Sequence, residues 1–150
     1  MAAFSASGDP DRYPDFGLAW QPAKLYYTVF STARFKEIHE KFEELGLESP
    51  FDEQWRNRWK DVPPDPITTS IDISAFANVR REALLAHATQ VDPNSPFWFG
   101  LPPEVMRSIH PFDDYRLAKV VSSEGIPEPG SLAGEGEIES DLFAGIGDSR

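Results

Sequence analysis

Three segments of the chain carry the apolar patterns of β-strands. Lys24–Phe30 has the aromatic and β-branched content of a buried strand. Ile67–Ile73 alternates isoleucine or threonine with polar residues, which is typical of a strand with one buried face. The period of Tyr115–Val121 is ambiguous, so this segment fits either a final strand or a helix.

Apolar residues at three- and four-residue steps predict a helix after Ser31, which is a good N-cap residue. Gly46 stands in the usual position for the end of such a helix. Its predicted buried face consists of Phe35, Ile38, Phe42 and Leu45. Trp55 and Trp59 are spaced for a short helix, and Pro103 suits the first turn of another short helix that runs to His110.

A further helix is predicted after Ser74, which can cap its start. Asp92-Pro93 ends it, because the residue before a proline is disfavoured in the helical region. His87 and Gln90 are three residues apart and are expected on one side of the last turn. The apolar stripe that leads to them comprises Phe76, Val79, Ala83 and Ala86. Two interpretations stay open: a capped helix with a tucked-in histidine, or one wall of a binding site.

Two or three strands separated by helices predict an α/β fold, but they are too few for an independent doubly wound sheet, so the fold is expected to be incomplete as it stands. The pattern divides the chain into a domain over residues 1–121, a flexible acidic linker over 122–140 and a tail over 141–150.

The aromatic loop Phe97-Trp98-Phe99 fits either a pocket wall or ordinary core.

Composition narrows the classes of partner. The 150 residues carry a net charge of −11, which argues against nucleic acid and anionic membranes as partners. No apolar run is long enough to span a membrane, and the N-terminus does not resemble a signal peptide. The absence of cysteine excludes disulfides and thiolate metal sites. An acidic, soluble, cytoplasmic protein is expected.

The three histidines do not form a recognisable catalytic centre. His110 and Asp113 have a ligand-like spacing, but they follow a predicted helix and no apolar strand precedes them. His39 lies on an acidic helix and is expected to be structural. No catalytic residue and no metal ligand is therefore assigned.

Several motifs, in order along the chain, carry a family resemblance: KLYY from Lys24, ALLAHATQVDP from Ala83, and DLFAGI from Asp141. The chain resembles the C-terminal half of the mycothiol S-conjugate amidases. These belong to the zinc-dependent deacetylases typified by LmbE and N-acetylglucosaminyl-phosphatidylinositol de-N-acetylase. The resemblance implies the C-terminal part of a Rossmann-like fold. It also implies zinc-dependent hydrolysis of mycothiol S-conjugates to a mercapturic acid and glucosaminyl-inositol, a detoxification reaction of actinobacterial thiol metabolism.

The resemblance also places Gln90 and His87 in a substrate-binding wall of the active site, where the Gln90 amide could hydrogen-bond the substrate. The family's Ala-His-Pro-Asp-Asp-Glu and His-Pro-Asp-His motifs do not occur in this sequence. This chain alone is thus expected to bind no zinc and to be inactive, with the missing N-terminal half as a partner. Two alternatives remain: a non-catalytic interaction or substrate-binding module derived from the family, and a small acidic binding protein whose resemblance has no functional meaning.

Overall fold

A computed structural model describes residues 2–60, 62–121 and 138–146. The described helices are α1 (Ala2–Ala6), α2 (Thr32–Glu44), α3 (Glu53–Arg58), α4 (Ala77–Ala86), α5 (Pro96–Phe99) and α6 (Pro103–Ser108). The strands are β1 (Lys24–Val29), β2 (Thr69–Asp72) and β3 (Phe112–Val120), which form one sheet in the order β1-β3-β2. The fold is therefore mixed α/β with a small sheet, and the ambiguous segment near the end is the central strand.

The described residues fall into two compact units. The sheet unit comprises residues 1–28, 67–71 and 114–150, and the helical unit comprises residues 29–66 and 72–113. The predicted acidic linker lies outside the described residues except at residues 138–140. There, Glu139 forms a parallel β-bridge with Thr69 in the sheet unit.

Helix α2 forms as its sequence predicts. The Ser31 side chain accepts a hydrogen bond from the Arg34 amide at 3.3 Å, which satisfies one of the free donors of the first turn. At the other end Gly46 has φ +65°, a left-handed conformation that glycine adopts without steric cost. Ile38 and Phe42 are buried as expected, whereas Leu45 is 48% exposed.

The core of the helical unit is aromatic. Its buried residues are Ile38, Phe42, Phe51, Trp59, Leu101 and Ile109. The Phe97 ring packs against the Phe51 ring with centroids 5.8 Å apart, so this part of the aromatic segment is core. Gly100 lets the chain pass close to Phe42, because a Cβ atom there would lie 2.7 Å from Phe42 Cζ.

The region around α4 differs from the sequence-based expectation in three ways. Ser74 does not cap α4 but opens a 3-10 turn, Ser74–Phe76, and α4 starts without a side-chain cap. The predicted apolar face points to solvent, since Phe76 is 62% and Val79 58% exposed. The half-buried side of the helix carries Arg80 and Leu84 instead.

Candidate functional site

His87 and Gln90 lie in a turn that follows α4, and not in its last helical turn as the spacing predicts. The helix ends at Ala86, and His87 is its C-cap residue with φ −79° and ψ 45°. The His87 carbonyl accepts hydrogen bonds from the amides of Gln90 (2.8 Å) and Val91 (2.9 Å). The backbone of this turn is therefore fixed by its own hydrogen bonds.

Both candidate side chains are exposed. The interpretation of His87 as a buried histidine is wrong, because its side chain is exposed. Among the described residues, the side-chain amide of Gln90 donates no hydrogen bond to a backbone carbonyl, so this side chain does not cap the helix end. An exposed amide can both donate and accept a hydrogen bond to a bound molecule.

The outward side of α4 leads to this turn and consists of Phe76, Val79, Ala83 and Ala86, all exposed. We call these four residues the α4 outer face. They have the spacing of a core-facing stripe, yet in the described residues they face solvent. Together with His87 and Gln90, the outer face presents an apolar strip beside two polar groups.

A buried polar cluster occupies the sheet unit and was not predicted from the sequence. It comprises Lys24 and Tyr26 on β1, Thr69 on β2, and Glu139. Lys24 Nζ lies 2.6 Å from Glu139 Oε1, while the Tyr26 hydroxyl and the Thr69 hydroxyl lie 2.7 and 2.8 Å from Glu139 Oε2. The side chains of Lys24 and Glu139 are only 2% and 7% exposed.

Burial and hydrogen bonding shift two pKa values in this cluster in opposite directions. Burial would raise the pKa of Glu139, but hydrogen bonds from Lys24, Tyr26 and Thr69 outweigh it and hold the pKa below its ordinary range. Burial, followed by the hydrogen bond to the Glu139 carboxylate, raises the pKa of Tyr26. The cluster therefore holds a carboxylate and a neutral phenol together.

The consecutive tyrosines of β1 turn to opposite sides, as alternation along a strand predicts. Tyr26 joins the buried cluster, and its ring meets that of Tyr115 edge-on at 6.2 Å. Tyr27 is 39% exposed and lies under the Arg116 guanidinium at 5.4 Å. In the sequence, Lys24 and Tyr26 lie in the KLYY motif, and Glu139 stands two residues before the DLFAGI motif.

The histidines do not gather into a metal centre. His39 Nδ1 lies 2.8 Å from the Ser49 hydroxyl, and its ring packs on Trp59, which is the structural role expected of it. The ring of His110 packs edge-on against Phe112. In the ranges 2–60, 62–121 and 138–146, no three histidine or carboxylate side chains lie close enough together to hold a metal ion. The zinc implied by the resemblance therefore has no fitting donor set in these residues.

No helix within the described ranges has the length and apolarity needed to cross a lipid bilayer.

Comparison with known proteins shows similarity along almost the entire chain. Mycothiol S-conjugate amidase of Streptomyces coelicolor is 36% identical over 99% of this chain and 48% of its own length. The 1D-myo-inositol 2-acetamido-2-deoxy-alpha-D-glucopyranoside deacetylase of Geodermatophilus obscurus is 32% identical over 97% of this chain and 47% of its own length. The Rhodococcus jostii protein of the same name is 31% identical over 97% of the chain.

No protein-family model and no solved structure matches the chain. The chain spans about half the length of the curated relatives it matches. Identity of 32–36%, in alignments that cover 97–99% of the chain, confirms the family resemblance. The chain is therefore a partial LmbE-like protein, similar along its length to mycothiol S-conjugate amidase and to inositol deacetylases.

Proposed function

We propose that this chain is the C-terminal half of an amidase that hydrolyses mycothiol S-conjugates. Water adds to the amide carbonyl carbon and the C–N bond breaks. The products are glucosaminyl-inositol, which leaves as the amine, and a mercapturic acid. The observation that carries the proposal is the 36% identity to the Streptomyces coelicolor amidase over 99% of the chain.

In this proposal the chain supplies a substrate-binding wall, and the other half supplies the zinc site. The wall contains Gln90 and His87, whose side chains are exposed at the end of α4. The turn fixes their backbone, so a bound substrate would meet an amide whose anchor point is already ordered. The intact assembly would be cytoplasmic and would adopt a Rossmann-like fold that this chain completes.

Exposed apolar surface supports a missing partner. The α4 outer face belongs to the helical unit, with Phe76 62% exposed. In the sheet unit, the segment before β1 exposes Phe16 (87%), Leu18 (100%) and Trp20 (73%). Monomeric proteins seldom leave several large apolar side chains uncovered in one region, because their burial is favourable. We propose that the zinc-bearing half covers both regions.

Complementation tests the proposal. The chain would be co-expressed with the portion of the Streptomyces coelicolor amidase that lies outside the matching region. The bimane conjugate of mycothiol would serve as the substrate. We expect hydrolysis by the complex and none by the chain alone. Metal analysis after dialysis should find stoichiometric zinc in the complex only, and tight zinc binding by the chain alone would contradict the proposal.

The deacetylases among the relatives favour a second candidate substrate, 1D-myo-inositol 2-acetamido-2-deoxy-alpha-D-glucopyranoside. Both substrates are amides of a glucosamine nitrogen, so the same complex can be assayed on each. Faster turnover of the acetamide would replace the amidase proposal by a deacetylase one. A zinc-loaded complex that cleaves neither amide would instead favour the non-catalytic binding module.

A further inference from the structure

A groove in the helical unit is lined mainly by residues from α4, α5, α6 and the segment that leads into β3, with Arg34 from α2. Its volume is about 90 Å³. This is too small for a drug-sized ligand but large enough for a small organic molecule or one end of a larger one.

The groove concentrates positive charge in an acidic chain. Its lining includes Arg34, Arg80, Arg81 and Arg107, four of the 14 lysine and arginine residues of a chain with net charge −11. Arg80 forms an ion pair with Asp113, so its charge is offset. Arg81 lies over the Phe99 ring at 5.5 Å, and Arg107 is exposed. In the described ranges neither Arg81 nor Arg107 pairs with a carboxylate.

The rest of the lining is largely apolar. Leu84, Trp98, Phe99 and Met106 contribute to it, together with Ile109. An inorganic anion would leave this surface uncovered, and an uncharged apolar molecule would leave the guanidinium groups unused. Guanidinium groups pair bidentately with carboxylates, and aromatic surface favours a flat apolar body. The lining therefore matches a carboxylate attached to an apolar group.

The first residues of α4, Ala77 and Asn78, are part of the lining, and the helix dipole favours a negative charge near a helix N-terminus. His110 also lines the groove and has φ +42°, a left-handed conformation that is uncommon outside glycine. The His-Pro-Phe-Asp-Asp stretch thus contributes His110 to the groove wall and Asp113 to the Arg80 ion pair.

We propose that this groove binds a small apolar carboxylate. Arg81 and Arg107 hold the carboxylate, and Trp98, Phe99 and Leu84 contact the apolar body. Binding at this groove is a property of the helical unit and does not depend on the amidase activity proposed above.

Titration of the full chain with benzoate, its uncharged isostere benzamide, and inorganic phosphate tests the proposal. Calorimetry measures affinity, and the indole N–H resonance of Trp98, assigned by its loss in Trp98→Phe, reports the location. We expect saturable benzoate binding that shifts this resonance, with benzamide weaker by about tenfold, the effect of one charge-assisted hydrogen bond. Arg107→Gln and Arg81→Gln should each weaken benzoate binding by about fivefold or more.

Arg58→Gln is the matched control, because Arg58 is an exposed arginine of the same unit that does not line the groove. It should leave benzoate binding unchanged, and unfolding curves should confirm that all three variants fold. Equal binding of benzoate and benzamide would overturn the proposal. So would equal losses in Arg58→Gln and Arg107→Gln, or phosphate binding that matches benzoate and depends on Arg107.

Discussion

Glu139 and Lys24 are 115 positions apart in the sequence, yet they form an ion pair whose side chains are only 7% and 2% exposed. Buried charges persist only when they are paired and hydrogen-bonded, because removal from water costs several kcal/mol per ion. Both Glu139 oxygens are used, one by Lys24 and the other by Tyr26 and Thr69. The cluster therefore holds Glu139 against β1 and β2.

A double-mutant cycle on this pair should reveal strong coupling. Glu139→Gln and Lys24→Met should each destabilise the chain by about 3–5 kcal/mol, because each leaves the other charge buried and unpaired. The double variant should recover part of that loss, as measured by urea unfolding. The exposed Lys41–Glu44 pair on α2 is the control, and its cycle should give less than about 1 kcal/mol. Equal coupling in the two cycles would contradict a buried, fully paired Glu139.

The same residue makes stability depend on pH. The pKa of Glu139 is lower in the fold than its ordinary value of 4.5, so the ionised form is favoured by folding. Its contribution is fully present above pH 4.5 and is lost as the pH falls through the folded pKa. Between pH 6 and about 3, the native chain should therefore lose more unfolding free energy than Glu139→Gln. Parallel stability curves for the two proteins would show that Glu139 does not contribute.

Gln90 is the residue through which the substrate-wall proposal is tested. In the complemented enzyme, Gln90→Ala should lower turnover by about tenfold, the effect of one lost hydrogen bond, with zinc content unchanged. Glu82→Gln, an exposed change on α4, is the control and should leave turnover unchanged. Unchanged kinetics in Gln90→Ala would remove Gln90 from the wall.

Among the helices, α2 and α4 differ in how much of their packing the sequence predicts. Helix α2 has a single apolar stripe between Ser31 and Gly46, so its face and its ends follow from local signals. The sequence predicts that helix α4 buries the stripe that contains Val79 and Ala83, and this prediction is wrong. The half-buried side carries Arg80 instead, whose aliphatic stem can lie against apolar surface, and apolar periodicity alone does not identify such a side.

Truncation of one phenylalanine on α2, and of another immediately before α4, distinguishes the two faces. Phe42→Ala should destabilise the isolated chain by about 3–5 kcal/mol, because Phe42 is 2% exposed in the aromatic core. Phe76→Ala should change stability by less than about 0.5 kcal/mol, because its ring is 62% exposed. Urea unfolding measures both, and Phe42→Leu provides a milder variant if Phe42→Ala does not fold. A large loss in Phe76→Ala would mean that the outer face is packed within the chain.

At the scale of the whole molecule, family and composition were readable from the sequence, whereas the polar cluster and the groove were not. Each family motif is a short run of consecutive residues, so it can be recognised in a single sequence. The cluster forms because Glu139 accepts a hydrogen bond from Lys24. The groove forms because Arg34 and Arg107 line the same space as residues of α4. Contacts between distant segments arise only from tertiary folding, and no spacing rule encodes them.

The exposed apolar regions of the two units yield a prediction about assembly. Phe76→Ser/Val79→Ser in the helical unit and Leu18→Ser/Trp20→Ser in the sheet unit should each weaken association with the zinc-bearing half by at least about tenfold. Each variant removes apolar area that the partner would bury.

Stability of the isolated chain should change little in either variant, because these side chains are already exposed. Titration of one labelled half with the other measures the association, and Arg58→Gln, an exposed change on α3, is the control. Because the two variants lie in different units, a loss confined to one of them would show which region the partner covers. Association that neither variant weakens would mean that the zinc-bearing half binds elsewhere on the chain.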